Sequence, residues 1–253
     1  MVIKHTYTAS YLSIVCILLC CLFISCNKSE PCNCLNSAGK TITETRYVSN
    51  FTNVILKDNI DLSIIQSSDR KIVVSYGENI INGVQSKVEG NTLLLYNSNR
   101  CNWLRSYSKK PKVIIYEPEL THLRFEGAGS VNSIDTLRYN SFSIDSWGGT
   151  GTINLTLISS LNTISIHTGA ADIKINGLGG VTYVYGLANG YIDCENFNSG
   201  FTFVNNSGSG DFRVQCQKEL SVYTGYIGDV YYKGSPYKVE HTKTGSGNLI
   251  KID

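Results

Sequence analysis

The side chains with catalytic potential in this sequence are a recurring series of aspartates and a few histidines. The aspartates of the second half are Asp145, Asp172, Asp193, Asp211 and Asp229, and the histidines beyond residue 100 are His122, His167 and His241. Clustered acids would suit a polysaccharide lyase or glycosidase, but these aspartates recur with the small-residue turns. We interpret them as side chains that hydrogen-bond the turn backbone. The histidines are isolated in the sequence, and no Ser-His-Asp set, His-Glu-x-x-His motif or phosphate loop is present. We therefore predict no catalytic residue.

The cysteines could form disulfides or bind a metal. Three of the nine lie in an apolar N-terminal segment and Cys26 follows it; the others are Cys32, Cys34, Cys101, Cys194 and Cys216. Cys32 and Cys34 could pair with Cys101 or bind a metal, but no second ligand pair follows at the spacing of zinc sites. We predict no metal and no cofactor, and the odd number of cysteines leaves any disulfide pairing open. Cys194 and Cys216 are interpreted as buried apolar side chains.

The N-terminus has the parts of an export signal. Lys4 gives a basic start, and residues 11–24 form an almost uninterrupted apolar run. This run is too short for a bilayer span of about 20 residues. It ends in Phe23-Ile24-Ser25-Cys26, which resembles the lipobox of bacterial lipoproteins. We therefore predict a lipoprotein signal peptide over residues 1–25 and lipidation of Cys26, whose acyl chains would hold the protein on a membrane. A plain secretory signal or an uncleaved anchor is the alternative.

The remaining chain is nearly neutral and forms one domain. Removal of residues 1–25 deletes Lys4, so the formal net charge falls from +2 to +1. Nucleic acid is disfavoured as a partner, because neutralisation of phosphates needs clustered Lys and Arg. Residues 26–40 lack periodicity and are predicted to be a lipidated tether. From residue 41 to residue 253 the chain has alternating, β-branched runs without a helical stripe, which predicts a single all-β domain.

The second half of this domain repeats with a period of about 20 residues. A hydrophobic anchor follows each small-residue turn, and the anchors are Val131, Ile153, Ile173, Ile192, Phe212, Val230 and Leu249. Short strands with one apolar and one polar face precede and follow each turn. Glycine suits such corners because it lets stacked backbones approach closely. A regular repeat with contacts only between neighbours is typical of a solenoid.

The predicted fold is therefore all-β: a right-handed parallel β-helix with coils of about 20 residues, capped or extended by N-terminal strands. The strand-like runs within residues 51–96 are the segments expected to cover one end. An antiparallel β-sandwich or meander is the alternative.

Several segments together are similar to one known family. They are the lipobox, the opening Phe51–Leu62, the Pro118–Val131 stretch and the recurring Gly-Ser-Gly-Asp corners. The chain resembles the family described as "putative auto-transporter adhesin, head GIN domain", which is frequent among Bacteroidetes lipoproteins, over roughly Phe51–Asp253. The resemblance implies a GIN-type β-helix over residues 41–253 and an exported location. It implies no catalytic residues.

Exposed aromatic side chains are the strongest candidates for ligand contact. Parallel strands stack equivalent positions into ladders, so tyrosine and tryptophan could form flat platforms for sugar rings. The residues predicted to bind are Trp147, Tyr185, Tyr223 and Tyr226. Packing of these rings within the protein is the other use of aromatic residues in strands.

Together these features predict a cell-envelope, outer-membrane lipoprotein with a non-catalytic binding or adhesion domain. The membrane is the predicted partner of the lipid anchor, and a carbohydrate or a surface protein is the predicted ligand. Exposure on the outer or the periplasmic face stays open. One alternative is a polysaccharide-active enzyme. The other is an envelope-structural protein that self-associates into homo-oligomers, because the ends of a solenoid expose strand edges.

Overall fold

A computed structural model of the chain describes residues 37–100 and 109–253. The predicted signal peptide, Cys26, Cys32, Cys34 and Cys101 lie outside the described residues. Residues 38–99 and 109–253 belong to one compact unit. None of the described residues lies in a helix long and apolar enough to cross a membrane.

The regular secondary structure of this unit is β-strand, apart from a 3-10 turn at Ile81–Gly83. The strands are β1 (Thr41–Arg46), β2 (Asn53–Asp58), β3 (Asp61–Gln66), β4 (Lys71–Gly77), β5 (Val84–Glu89), β6 (Thr92–Asn97), β7 (Lys112–Glu117), β8 (His122–Gly127), β9 (Ser130–Ser133), β10 (Leu137–Gly149), β11 (Thr152–Gly169), β12 (Asp172–Gly186), β13 (Tyr191–Asn206), β14 (Phe212–Thr224), β15 (Val230–Lys233), β16 (Lys238–Lys243) and β17 (Leu249–Lys251). The strands from β10 to β14 are long because each bends from one face of the fold to the next.

The strands stack in parallel as the coils of a β-solenoid, so the predicted architecture is confirmed. Sheet A consists of β5, β6, β2, β8, the C-terminal parts of β10 to β14, and β16. Sheet B consists of β1, β4, β7, β3, β9, the N-terminal parts of β11 to β14, β15 and β17. A third face is formed where Leu137 pairs with Leu157, Leu157 with Gly177, and Gly177 with Phe197.

The hydrophobic anchors found in the sequence form a single ladder on sheet B. Each anchor pairs with the next, in the order Val131, Ile153, Ile173, Ile192, Phe212, Val230 and Leu249. The ladder continues beyond the repeat, because Val131 also pairs with Leu62 and Leu62 with Val113. All of these residues except Leu249 are buried, so the ladder is one wall of the core.

The N-terminal strands both extend and cap the solenoid. The coil made by β2 and β3 lies between the coil of β6 and β7 and that of β8 and β9, so the order of coils in space differs from the order in the chain. Antiparallel strands close this end: β5 pairs with β6, β4 with β7, and β1 with β4. Of residues 51–96, the segment from β4 to β6 lies at this end as predicted, whereas β2 and β3 form an internal coil and the earlier strand β1 adds to the cap.

Large aromatic rings fill the core by packing on glycines of a neighbouring coil. A Cβ atom added to Gly186 would lie 2.3 Å from Cζ of Phe212, and one added to Gly149 would lie 2.6 Å from Cδ1 of Phe125. Both phenylalanines are almost fully buried. The absence of a side chain in one coil therefore provides the space for a ring in the next, which keeps the core at native density.

Two of the aspartates after the corners, Asp211 and Asp229, bond to the next coil, whereas Asp193 Oδ1 accepts a hydrogen bond from the nearby Glu195 N–H. Oδ1 of Asp211 accepts a hydrogen bond from the backbone N–H of Asp229 at 2.9 Å, and Oδ1 of Asp229 accepts one from Asn248 N–H at 2.7 Å. The pattern of the sequence predicted bonds within each turn. The parallel stacking places the equivalent N–H of the following coil closer to the carboxylate.

Cys194 and Cys216 are buried free thiols. Burial, together with the charge of Asp193, raises the pKa of the Cys194 thiol. The prediction that both are apolar core residues is confirmed, and the two cysteines do not pair with each other.

Candidate functional site

The outer surface of sheet A carries a group of aromatic residues. Along its strands, alternate side chains point away from the core, and the parallel register aligns them into columns across the coils. One column contains Tyr183, Phe203 and Ser221, and the next contains Tyr185, Asn205 and Tyr223. Two of the predicted binding residues, Tyr185 and Tyr223, therefore lie in the same column.

A groove of about 310 Å³ runs between these two columns. It passes over the backbone of three valines, and its side-chain walls are Tyr183, Phe203 and Ser221 on one side and Tyr185, Asn205, Tyr223 and Thr242 on the other. The rings of Tyr183 and Phe203 stack, with centroids 5.1 Å apart. The face of Phe203 that looks away from Tyr183 is next to Ser221, whose small side chain leaves it uncovered.

The second wall has a gap the width of a ring. Asn205 separates Tyr185 from Tyr223, so the two tyrosines are two strand spacings apart, about 9.6 Å. A six-membered ring in van der Waals contact on both sides needs about 7–8 Å. At the base of this gap, Asn205 Oδ1 accepts a hydrogen bond from Ser207 Oγ at 2.7 Å. Its amide nitrogen donates to no group in the described residues and is available to a ligand.

Trp147, another predicted binding residue, packs against residues of the two adjacent coils. Its ring stacks on His167 of the following coil, with centroids 4.1 Å apart, and the Arg124 guanidinium of the preceding coil lies 5.5 Å from the ring centroid. The residue is nevertheless 43% exposed. The structure connects Trp147 to the groove through His167, which lies 5.7 Å from Tyr185 by ring centroids.

Tyr226, the fourth predicted binding residue, lies apart from the groove. It is at the corner between β14 and β15 and is 54% exposed. No groove residue comes from this corner. The residues that sequence reasoning missed are Phe203, Asn205 and Ser221. The signal that could have found them is their spacing of about one coil from Tyr183, Tyr185 and Tyr223.

Asp145 is the centre of a polar cluster beside Trp147. Its Oδ2 is 2.8 Å from Nε2 of His122, and its Oδ1 is 2.7 Å from Nε2 of His167. Two sequence interpretations are thereby wrong. Asp145 is not a turn-capping residue, because it lies within a strand of sheet A. His122 and His167 are not isolated, because three consecutive coils bring them onto one carboxylate.

The electrostatics of this cluster favour the ionised acid. The hydrogen bond from His122 lowers the pKa of Asp145 below its ordinary value of 3.8. Burial opposes this shift, and the bond from His167 reinforces it. No group of three His, Cys, Asp or Glu side chains among the described residues is arranged to hold a metal ion. The hydrogen bond to Asp145 orients His167, on which the Trp147 ring stacks.

Replacement of Asp145 by asparagine is expected to lower the free energy of unfolding at pH 7 by about 1–2 kcal/mol. A carboxylate whose pKa is lowered by folding stabilises the native state above its unfolded pKa and stops doing so as the pH falls through the folded value. The difference between the two proteins in urea denaturation should therefore shrink at acidic pH. Asp135→Asn, at an exposed position, is the control and should change little. An equal loss at pH 7 and at acidic pH would contradict this account.

Solved structures similar to this chain share its fold. One, described as a putative adhesin from Bacteroides fragilis, is 23% identical with a TM-score of 0.75, over 84% of this chain and 97% of that chain. A putative adhesin from Parabacteroides distasonis is 17% identical with a TM-score of 0.62, over 85% and 98%. A putative lipid binding protein from the same species is 20% identical with a TM-score of 0.63, again over 85% and 98%.

A comparison with curated proteins finds no significant match. The sequence profile of one family, described as "putative auto-transporter adhesin, head GIN domain", matches residues 50–236. These residues include the strands of sheet A from β2 to β14. They therefore include every residue of the groove except Thr242. The chain therefore belongs to the putative auto-transporter adhesin, head GIN domain family.

Proposed function

We propose that this protein is a lipid-anchored adhesion domain of the bacterial cell envelope that binds carbohydrate in the groove of sheet A. The observation that carries the proposal is the gap between Tyr185 and Tyr223, with the uncovered face of Phe203 on the opposite wall. Aromatic faces combined with a few polar groups are suited to sugar rings, which have apolar faces and hydroxyl edges. The family's adhesin description supports an adhesion role and an envelope location.

A purely binding role is supported by the chemistry of the groove lining. Its side chains are aromatic, aliphatic, amide and hydroxyl groups, without a carboxylate, an imidazole or an amine. Hydrolysis or elimination of a polysaccharide needs a general acid and a general base within reach of the bond that breaks. The nearest acid–base cluster, at Asp145, has its oxygens engaged by two histidines.

Self-association by stacking of solenoid ends is disfavoured by the inward side of β16. Three residues of β16 are in register with the buried Leu220, Val222 and Thr224 of β14. Two of these three β16 residues are His241 and Lys243. The Lys243 ammonium donates to Asn248 Oδ1 at 2.7 Å. A second copy placed on this strand would bury that charge, and inward-pointing charges of this kind protect sheet edges from pairing.

Tyr223→Ala should weaken glycan binding by at least about 30-fold, because an aromatic anchor at the centre of a site typically contributes about 2 kcal/mol or more. The measurement is binding of the purified protein to an array of mucin-type and plant cell-wall oligosaccharides, followed by calorimetry with the strongest binder. Tyr237→Ala is the matched control, since this tyrosine is 72% exposed and does not line the groove. Equal loss in both variants, or no loss in either, would rule out the groove as the glycan site.

Asn205→Ala separates a carbohydrate from an acyl chain in the same groove. One structural relative is described as a lipid binding protein, and the groove walls are largely apolar. A sugar would use the free amide of Asn205, so its affinity should fall by about tenfold in the variant. An acyl chain has no group to bond with the amide, and binding of a fluorescent fatty acid should be unchanged. Binding of the fatty acid without any glycan binding would overturn the proposal.

A further inference from the structure

A concave cluster of lysines lies beside the strand at which the N-terminal segment enters the domain. Lys109, Lys110 and Lys112 line a depression of about 240 Å³ together with Thr41 and Ser75. Thr41 is the first residue of β1, so the predicted tether joins the domain at this depression. The depression belongs to sheet B and is formed by different strands from those of the groove.

The strand register groups polar side chains around the depression. Thr43 pairs with Ser75, Ser75 with Lys112, and Lys112 with Asp61, so four strands contribute to one row. The hydroxyl oxygens of Thr43 and Ser75 are 2.8 Å apart. The row thus places an ammonium beside hydroxyl groups, which is a set of donors suited to phosphate oxygens.

The charge of this cluster is largely uncompensated. Asp61, whose Oδ1 lies 3.8 Å from the Lys110 ammonium and also accepts hydrogen bonds from the N–H and hydroxyl of Ser130, compensates one of the three lysine charges. Lys109 and Lys112 have no acidic partner within the described part of the chain. Positive charge is therefore concentrated here, although the chain as a whole carries a formal charge of only +2.

We propose that this lysine cluster docks onto the anionic phospholipid headgroups of the membrane that holds the lipid anchor. The inference rests on the anchor of the proposed function. Cys26 and Thr41 are 15 residues apart in the sequence. A fully extended segment of this length spans at most about 50 Å, which keeps the cluster close to the bilayer at high effective concentration. Attraction between lysines and an anionic leaflet then acts within about 8 Å of the surface.

Docking at this end would direct the groove away from the membrane. In sheet A the strands from β6, which belongs to the same coil as β7, to β12 follow one another as β6, β2, β8, β10, β11 and β12. Five strand spacings correspond to about 24 Å. The groove, which begins at β12 on sheet A, would then stand clear of the headgroups and be accessible to a large ligand.

The test measures protection of individual lysines in the lipid-bound protein. The full chain is expressed in its native host, purified in detergent and reconstituted into vesicles of phosphatidylcholine alone or of phosphatidylcholine with phosphatidylglycerol. Brief acetylation with an amine-reactive ester is followed by peptide mass spectrometry. Lys109 and Lys112 should react about fivefold more slowly in the anionic vesicles, and about 1 M salt should abolish this difference. Lys218 and Lys251, in the coils at the other end, are the controls and should react equally in both.

Each contrary outcome identifies what fails. A protein that does not float with either kind of vesicle lacks the anchor, which overturns the anchor and the docking together. A protein that floats but reacts equally at all four lysines retains the anchor and overturns the docking alone. Protection of Lys109 and Lys112 by inorganic phosphate in detergent, without any effect of vesicle composition, would assign the depression to a free anion and also overturn the docking. Glycan binding is unaffected by any of these results.

Discussion

Phe212→Ala is expected to lower the free energy of unfolding by about 3–5 kcal/mol, more than any other substitution proposed for this domain. Phe212 is 1% exposed and occupies the anchor ladder of sheet B. Its ring packs on Gly186, which has no side chain that could move into the space left by the ring. The cavity therefore stays open, and its cost adds to the lost burial of the ring.

Urea denaturation followed by circular dichroism measures this effect as a lower midpoint with an unchanged dependence on urea. Phe203→Ala is the matched control, because Phe203 lies on the outer face of the neighbouring strand and is 37% exposed. It should cost only about 1 kcal/mol, mainly through its stacking on Tyr183. Similar losses in the two variants would mean that the ladder is not the core of the fold.

Gly210→Ala is expected to be the second most damaging change, at about 3 kcal/mol. A Cβ atom at this corner would lie 1.8 Å from the carbonyl oxygen of Gly190 in the preceding coil. The atom that it meets belongs to the backbone, so no side-chain rotation can relieve the overlap. The two coils would have to separate locally, which would disturb the hydrogen bonds on both sides of the corner.

The chain provides its own control for this prediction. Ala171 occupies a corresponding corner position, where the turn accepts a methyl group, and it is fully buried. Ala171→Gly should therefore cost only about 1 kcal/mol, from the greater freedom of glycine in the unfolded chain. If Gly210→Ala were as mild as Ala171→Gly in the same denaturation assay, close backbone approach would not be the reason for glycine at these corners.

The repeat half of the fold was predictable because each coil carries the same local pattern. The anchors from Val131 to Leu249 follow small-residue corners at nearly constant spacing, and constant spacing translates directly into strand register. The first coils were not predictable in this way. Their anchors, Leu62 and Val113, are separated along the chain by β4, β5 and β6, so the sequence contains no period that would reveal their pairing.

The candidate site was predictable only in part, because its residues meet across coils. Asp145 bonds to His122 and His167, which are 23 and 22 residues away in the chain, and neither spacing is a known catalytic or metal-binding motif. Tyr185 and Tyr223 were identified from residue type alone. Their value as a pair depends on Asn205 between them, and that relation appears only when the coils are placed in register.

The direction of the hydrogen bonds between coils has a mechanical consequence. In a stack of parallel strands these bonds run along the stacking axis, so tension between a tethered end and a bound surface would load every bond of an interface at once. The interface between β14 and the coil of β15 and β16 is paired on two faces, whereas that between β11 and β12 is continuous over three. Of these two interfaces, the one between β14 and the coil of β15 and β16 should therefore separate at the lower load. This coil carries Thr242, so its separation would open one end of the groove while the coils from β11 to β14 stay stacked.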